Sequence, residues 1–210
     1  MLNIGYLVPF TILKGLPDYE AYLVVLINKG IMAQLPRKYA MHDYKIGETG
    51  WASVFNIRGA TVILSQKSTQ YVRKVMEHIL TPLLLDSRIK VKRVAKMAGG
   101  SFYKVAVESL TDMSNGDLLD EIRPYLEETK DYIAEKVIIV KYSNDAQEYI
   151  ANSLVPAPVK EIKHIRILKN IKRASVIVPE EYVGYFLGPK AMNVLTAAKL
   201  TGYKIEITGV

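Results

Sequence analysis

Turn residues break the first 66 positions so often that the segment between any two of them has room only for a short strand. Gly15-Leu16-Pro17-Asp18, Asn28-Lys29-Gly30 and Arg58-Gly59 mark reversals, and the stretches between them mix β-branched and aromatic residues. Strands are therefore predicted at roughly Asn3 to Leu13, Asp18 to Leu26, Gly30 to Leu35, Glu48 to Ile57 and Ala60 to Ser65. Five short strands in one small unit favour a closed or nearly closed barrel, because closure removes the exposed strand edges. Trp51, Ser53, Phe55 and Ile57 alternate onto one face, which is either a ligand-facing surface or the barrel core.

The rest of the chain changes period. Tyr71, Val72, Val75, Met76 and Ile79 recur at helical spacing, and Pro82 is expected to stop that helix. Strands are predicted at Arg88 to Met97 and Phe102 to Leu110, then helical segments near Asp117 to Ile133, then a strand from Lys136 to Tyr142. Asn144 or Asp145 can cap a helix containing Ala146, Tyr149, Ile150 and Leu154, ended by Pro156 and Pro158. Two strands follow, Lys160 to Lys169 and Arg173 to Pro179. The end of the chain then reads as a helix with Tyr182, Val183, Phe186 and Leu187, the loop Gly188-Pro189-Lys190-Ala191, and a helix with Ala191, Val194, Leu195 and Ala198. Gly202 is its expected C-cap, before a strand from Tyr203 to Thr208.

With 210 residues, half of them apolar, the chain has room for more than one core. No apolar run reaches spanning length, and MLNIGYLVPF has neither the charged n-region nor the cleavage site of a secretory signal. Cysteine is absent, which excludes disulfides and thiolate metal sites and fits a reducing cytoplasm. His42, His78 and His164 stand apart, with no paired-ligand spacing, and the carboxylates are scattered. The sequence points to no enzyme, no metal and no cofactor.

The net charge of +7 favours polyanionic partners. Its distribution is local. Residues 67–143 carry 13 Lys/Arg and 11 Asp/Glu, sorted so that Arg88, Lys90, Lys92, Arg93 and Lys96 precede an acidic stretch. From Ser109 to Glu135 there are eight acids (Asp112, Asp117, Asp120, Glu121, Glu127, Glu128, Asp131 and Glu135) against Arg123 and Lys130. Residues 144–210 carry 9 basic and 6 acidic groups, with Lys163, Arg166, Lys169, Lys172 and Arg173 on or beside the strands.

The segment GIMAQLPRKYAMHDYKIGETGWASVFNIRGATVILSQKS resembles the S-one type of OB-fold domain found in the bacterial transcription factor family NusA. AEKVIIVKYS, the junction SNDAQEYIANSLVPAPV and AAKLTGYKIEI are similar to the same family, and Gly188-Pro189-Lys190-Ala191 resembles the GXXG loop of KH domains. The resemblance implies a multidomain chain: an all-β five-stranded OB-type barrel over 1–66, then two α+β type II KH domains over 67–143 and 144–210, the two KH units fused through the junction.

It also implies binding of single-stranded RNA with low sequence specificity, on a continuous surface from the barrel to the second KH loop, in transcription elongation, termination or antitermination. In the barrel the implied contacts are Tyr22, His42, Tyr44, Trp51, Phe55 and Arg58. In the second KH unit they are Gly188, Pro189, Lys190 and Ala191, with Lys163, Arg166, Lys169 and Arg173 adding attraction and Leu187, Leu195 and Ile205 lining a groove for bases. Because Ala191 replaces the final glycine of the loop, the backbone is expected to enter the helix there without a left-handed residue. In the first KH unit the loop position falls near Leu119-Asp120-Glu121-Ile122, with two acids and no glycine. That unit is expected to be degenerate for RNA and to offer either a solvated acidic face or a docking face for a protein. NusA proteins ordinarily carry a polymerase-docking domain ahead of the barrel, which here begins almost at Met1. RNA polymerase and the ribosome are the implied partners. A free-standing messenger-RNA binder, for instance a viral one acting in translation or RNA protection, and a scaffold with vestigial RNA contacts are the alternatives.

Overall fold

A computed structural model describes residues 2–111 and 113–210; Met1 and Asp112, one of the acids named above, lie outside the described residues, as does the side chain of Asn115. By its contacts the chain divides into two compact units, Met1–Ile79 with Glu128–Ala134, and Leu80–Glu127 with Glu135–Val210.

The first unit contains the barrel. Strands β1 (Leu7–Leu16), β2 (Ala21–Leu26), β3 (Met32–Pro36), β4 (Thr49–Arg58) and β5 (Thr61–Ser65) close in the order β1-β2-β3-β5-β4. Only the β3–β5 pair is parallel. Alternation sends Val8, Phe10, Ile12, Val24, Leu26, Ala52, Val54 and Leu64 into one core. Trp51, Phe55 and Ile57 are exposed and stand outside the barrel core, whereas Ser53, which alternates with them in sequence, is fully buried. Helix α1 (Thr69–Ile79) begins where Ser68 Oγ accepts from Tyr71 N at 3.0 Å, and it buries Tyr71, Val72, Val75, Met76 and Ile79. The returning segment docks beside it, with Tyr71 OH donating to Tyr132 O at 3.0 Å. Helix α1 ends at Ile79, as expected ahead of Pro82. Pro82 sits in the first turn of a further short helix, α2 (Thr81–Leu85), where a missing N–H costs nothing.

The second unit holds two three-stranded sheets. Strands β6 (Ile89–Ala95), β7 (Phe102–Ser109) and β8 (Lys136–Lys141) form one, in the order β6-β7-β8, with β7 and β8 parallel. Helix α3 (Asn115–Leu126) crosses between them, opened by a capping box in which Ser114 and Asp117 each bond the other's backbone N–H. Strands β9 (His164–Leu168), β10 (Arg173–Val178) and β11 (Lys204–Gly209) form the other sheet, order β11-β10-β9, with β10 and β11 parallel. Helices α4 (Ala146–Ser153), α5 (Val183–Leu187) and α6 (Met192–Thr201) cover its inner face, where Ala174, Val176 and Val178 meet Ile150, Phe186, Val194 and Ala197. A further cluster joins the two halves: Ala95, Ala106 and Val140 from the first sheet pack on Tyr149 and Leu200. The junction helix α4 is thus part of a shared core, and the architecture is the expected barrel followed by two KH-type α+β folds.

The first KH-type fold corrects one expectation. Leu119 to Ile122 lie inside α3 and form no loop. Leu118 and Ile122, four residues apart, are both fully buried, and each gains roughly 1.5–3 kcal/mol from that, enough to carry the helix straight through. The second helical piece is only the 3-10 stretch Glu127–Asp131. The charges sorted along the sequence also meet in space: Arg88 pairs with Glu121, Lys96 with Glu135, and Lys92 with Glu108 at 3.0 Å. Among the described residues the acidic face is therefore weaker than the sequence count, and Asp117 and Asp120 remain its exposed members on α3.

Candidate nucleic-acid interface

On the barrel, His42, Tyr44 and Trp51 come together. They line a cleft of about 520 Å³ with Pro9, Gln66 and Tyr132. The rings of His42 and Tyr44 lie 4.1 Å apart, tilted by 35°, and Trp51 is 42% exposed. Tyr44 is held from three sides. Phe10 meets its ring edge-on at 5.6 Å, a contact that depends on Gly50, since a Cβ there would lie 2.8 Å from Phe10. Gln66 Nε2 donates to Tyr44 OH and to Trp51 O, both at 2.9 Å, while Gln66 Oε1 accepts from Met41 N at 2.9 Å. Burial raises the Tyr44 hydroxyl's pKa, so it stays protonated at neutral pH.

The other barrel candidates separate from this cleft. Tyr22 is 2% exposed and presents no ring face to a ligand. Its position opposite core residues makes it a strut: its hydroxyl accepts from Tyr44 N at 3.1 Å and from Arg37 Nη1 at 3.0 Å and donates to Asp43 Oδ1 at 3.0 Å, holding the 37–44 loop over the barrel. Phe55, also 42% exposed, packs against Tyr39 at 5.1 Å, with Lys38 Nζ 5.1 Å from the Tyr39 ring centroid. Arg58 is exposed where β4 turns into β5.

In the second KH-type fold, Gly188 closes α5 with φ 69° and ψ 172°, a region open essentially to glycine alone, and a Cβ there would fall 2.8 Å from Asn193 Cβ. Lys190 (φ 51°, ψ 33°) and Ala191 (φ 57°, ψ 18°) are both left-handed. The expectation that Ala191 avoids that conformation is overturned. The loop keeps its shape because Ala191 N donates to Gly188 O at 3.0 Å and Gly188 N to Gly184 O at 2.9 Å. Lys190 projects exposed from the turn. Of the expected groove, Leu187 is half-buried and Leu195 exposed, but Ile205 points into the core on the inner face of β11 and cannot line it.

The basic strand residues occupy another surface. Arg166 and Arg173 alternate with buried neighbours and point away from the helices, where with His164, Leu168, Ile177 and Glu206 they line a second cleft of about 520 Å³. Lys163 precedes β9 and Lys169 opens the turn after it, both exposed. The loop 188–191 belongs to the helical layer, so Arg166 and Arg173 lie on the opposite face of the sheet from it, while Lys163 and Lys169 flank β9 at its two ends.

Three supporting residues escape a reading by composition. Gln66, only 4% exposed, is the last residue of the ILSQ run that carries part of the family resemblance, and that placement is its sequence signal. Lys104 and Asn193 have none. Lys104 is 0% exposed, and its Nζ donates to Asn193 Oδ1 at 2.6 Å, to Asn193 O at 3.3 Å and to Ser153 O. Asn193 Nδ2 in turn donates to Leu154 O at 2.8 Å and Phe186 O at 3.1 Å. Among the described residues no group of three His, Asp or Glu side chains could hold a metal ion, and no helix is long and apolar enough to cross a membrane.

A closed five-stranded barrel followed by two KH-type folds, one with a glycine loop, defines the architecture of the chain. In sequence the chain is similar to NusA proteins. Residues 146–210 match the family model described as NusA-like second KH domain. The chain is 31% identical over 153 residues to the transcription termination/antitermination protein NusA of Rickettsia prowazekii, covering 71% of this chain and 30% of that protein. It is 27% identical over 180 residues to NusA of Halalkalibacterium halodurans (83% and 45%) and 29% identical over 172 residues to NusA of Mycobacterium tuberculosis (79% and 46%). The matched region spans less than half the length of these relatives.

Proposed function

We propose that the chain binds single-stranded RNA with low sequence preference and acts, as its relatives' names indicate for them, in transcription termination and antitermination in the cytoplasm. The observation that carries this reading is the second KH loop: Gly188, Lys190 and Ala191 hold positive φ, Lys190 is free to reach a phosphate, and the backbone N–H groups at the start of α6 follow directly. Glycine lets phosphate approach where a side chain would block it, and the lysine supplies the charge.

The barrel supplies the second element of affinity. Bases stack in the cleft on His42, Tyr44 and Trp51, each base contributing about 1–3 kcal/mol, and every base has a face to stack, so discrimination is slight. Arg166 and Arg173 on the outer sheet face, with Lys163 and Lys169 at the ends of β9, add salt-sensitive attraction rather than contacts in the loop itself. RNA polymerase is the protein partner this reading implies, and the exposed Asp117 and Asp120 on α3, in a KH-type fold without a glycine loop, favour a protein contact on that face over RNA.

The test is fluorescence anisotropy with labelled single-stranded RNA, single-stranded DNA and duplex across a salt series. With about three phosphates neutralised, log affinity for single-stranded RNA falls with log salt at a slope of about −2. Lys190→Glu weakens that binding about tenfold, while Asp120→Lys does not weaken it. Absence of salt-dependent RNA affinity overturns the function, and Lys190→Glu binding like the unmodified chain overturns the assignment of the loop.

A further inference from the structure

Lys104 is a lysine with no contact to solvent, on the face of β7 that Ala106 shares and that α4 and α6 cover. Taking an ammonium out of water is costly, and such a group persists only where its hydrogen bonds are met. Here they are: an ammonium has three donors, and Ser153 O, Asn193 O and Asn193 Oδ1 are three acceptors. Ser153 ends α4, and Asn193 lies in the first turn of α6, directly after the loop.

Asn193 is the hub. Its side chain is fixed on one side by Lys104 and on the other by the carbonyls of Leu154 and Phe186, so α4, α5 and α6 are tied at one residue. The loop is built against it, since Gly188 lies so close to Asn193 that a Cβ would collide with it. Only this orientation of the amide satisfies both sides, with Oδ1 facing the ammonium and Nδ2 facing the two carbonyls.

We propose that Lys104 is a positioning residue for the RNA clamp of the second KH-type fold: contributed by the first, it orients Asn193 and thereby sets the left-handed turn 188–191 that receives phosphate. The inference rests on the reading that this loop grips RNA. It gives the first KH-type fold, which has no glycine loop of its own, a part in RNA binding that needs no contact with RNA. Burial lowers the pKa of the Lys104 ammonium to about 7.

The experiment uses the full chain, Lys104→Met, Lys190→Glu and the double variant, with anisotropy on labelled mixed-sequence single-stranded RNA. Methionine fills the lysine's volume without its charge, but it leaves Ser153 O, Asn193 O and Asn193 Oδ1 without this donor, so it lowers the melting temperature by several degrees and binding is read well below that transition. Lys104→Met weakens RNA binding about tenfold, and the double variant binds no more weakly than Lys190→Glu, because both changes disable the same loop. Hydrogen exchange at the Ala191 amide, which bonds Gly188 O, speeds up in Lys104→Met. If Lys190→Glu weakens binding while Lys104→Met leaves affinity and exchange unchanged, or multiplies the loss, the inference is overturned and the loop assignment stands. If Lys190→Glu has no effect, the loop assignment fails and the inference with it. Lys104→Gln, which keeps one amide donor, repeats the cycle if Lys104→Met does not fold; should both variants unfold, the lysine serves the fold rather than the loop, and the inference is overturned.

Discussion

Ala191 holds a backbone conformation that costs an alanine about 1–2 kcal/mol, and the rest of the loop keeps it there. Ala191→Gly removes that strain but gives the unfolded chain more freedom, so a net gain of about 0.5–1 kcal/mol is expected in urea denaturation, without loss of RNA binding. An unchanged or lowered midpoint contradicts the strain. Lys104 and Tyr149 add a pH signature. Burial holds Lys104 at about 7, below its ordinary 10.5, so between these values the unfolded chain binds more protons and stability rises with pH. Burial pushes Tyr149 up to about 12 from 10.0, so the folded chain holds the extra proton there and stability falls as pH climbs through that range. Urea midpoints from pH 6 to 11 should pass through a maximum near pH 10, and Lys104→Met should flatten the rising limb. The Gly-Pro-Lys-Ala loop was legible in the sequence because glycine and lysine advertise their use. Lys104 was not, because a lysine alternating with apolar residues in a strand reads as a solvent-facing position, and only the second fold packed over that face makes it interior.

Among the elements, strands were the most readable, since turn residues bound them and alternation fixes their faces. Helix α3 was harder: the spacing back from Ala134 puts a KH loop at Leu119 to Ile122, whereas the burial of Leu118 and Ile122 keeps the helix whole. The barrel cleft shows the same limit. Aromatic residues on β4 and in the 42–44 segment marked the region, but Tyr22, equally aromatic, is core because its strand position faces inward. What converts the region into a shaped cleft is Gln66, whose one mark in the sequence is its place at the end of the ILSQ run. Gln66→Ala leaves Trp51 O and Met41 N without their partner and is expected to cost about 2 kcal/mol in the barrel. It also frees the Tyr44 ring and weakens RNA binding several-fold. A variant of full stability that binds RNA normally would show that Gln66 does not organise the cleft.

For the molecule as a whole, Trp51 is the sole tryptophan and stands in the barrel cleft, so its fluorescence reports that unit alone. If one RNA engages both the cleft and the 188–191 loop, quenching of Trp51 and anisotropy of the RNA give the same affinity, and Lys190→Glu shifts both. Quenching that ignores Lys190→Glu would mean that the units bind independently. The chain itself passes from the first compact unit to the second after Ile79, returns for Glu128–Ala134, and leaves again. A ribosome delivers residues in order, so the five barrel strands emerge long before the piece that Tyr71 anchors through Tyr132 O. The barrel can close early, yet its unit is finished only after α3 has been synthesised, which couples maturation of the two units during translation. A protease cut or a recombination point placed just after the barrel strands would therefore remove a structural part of the unit it was meant to isolate.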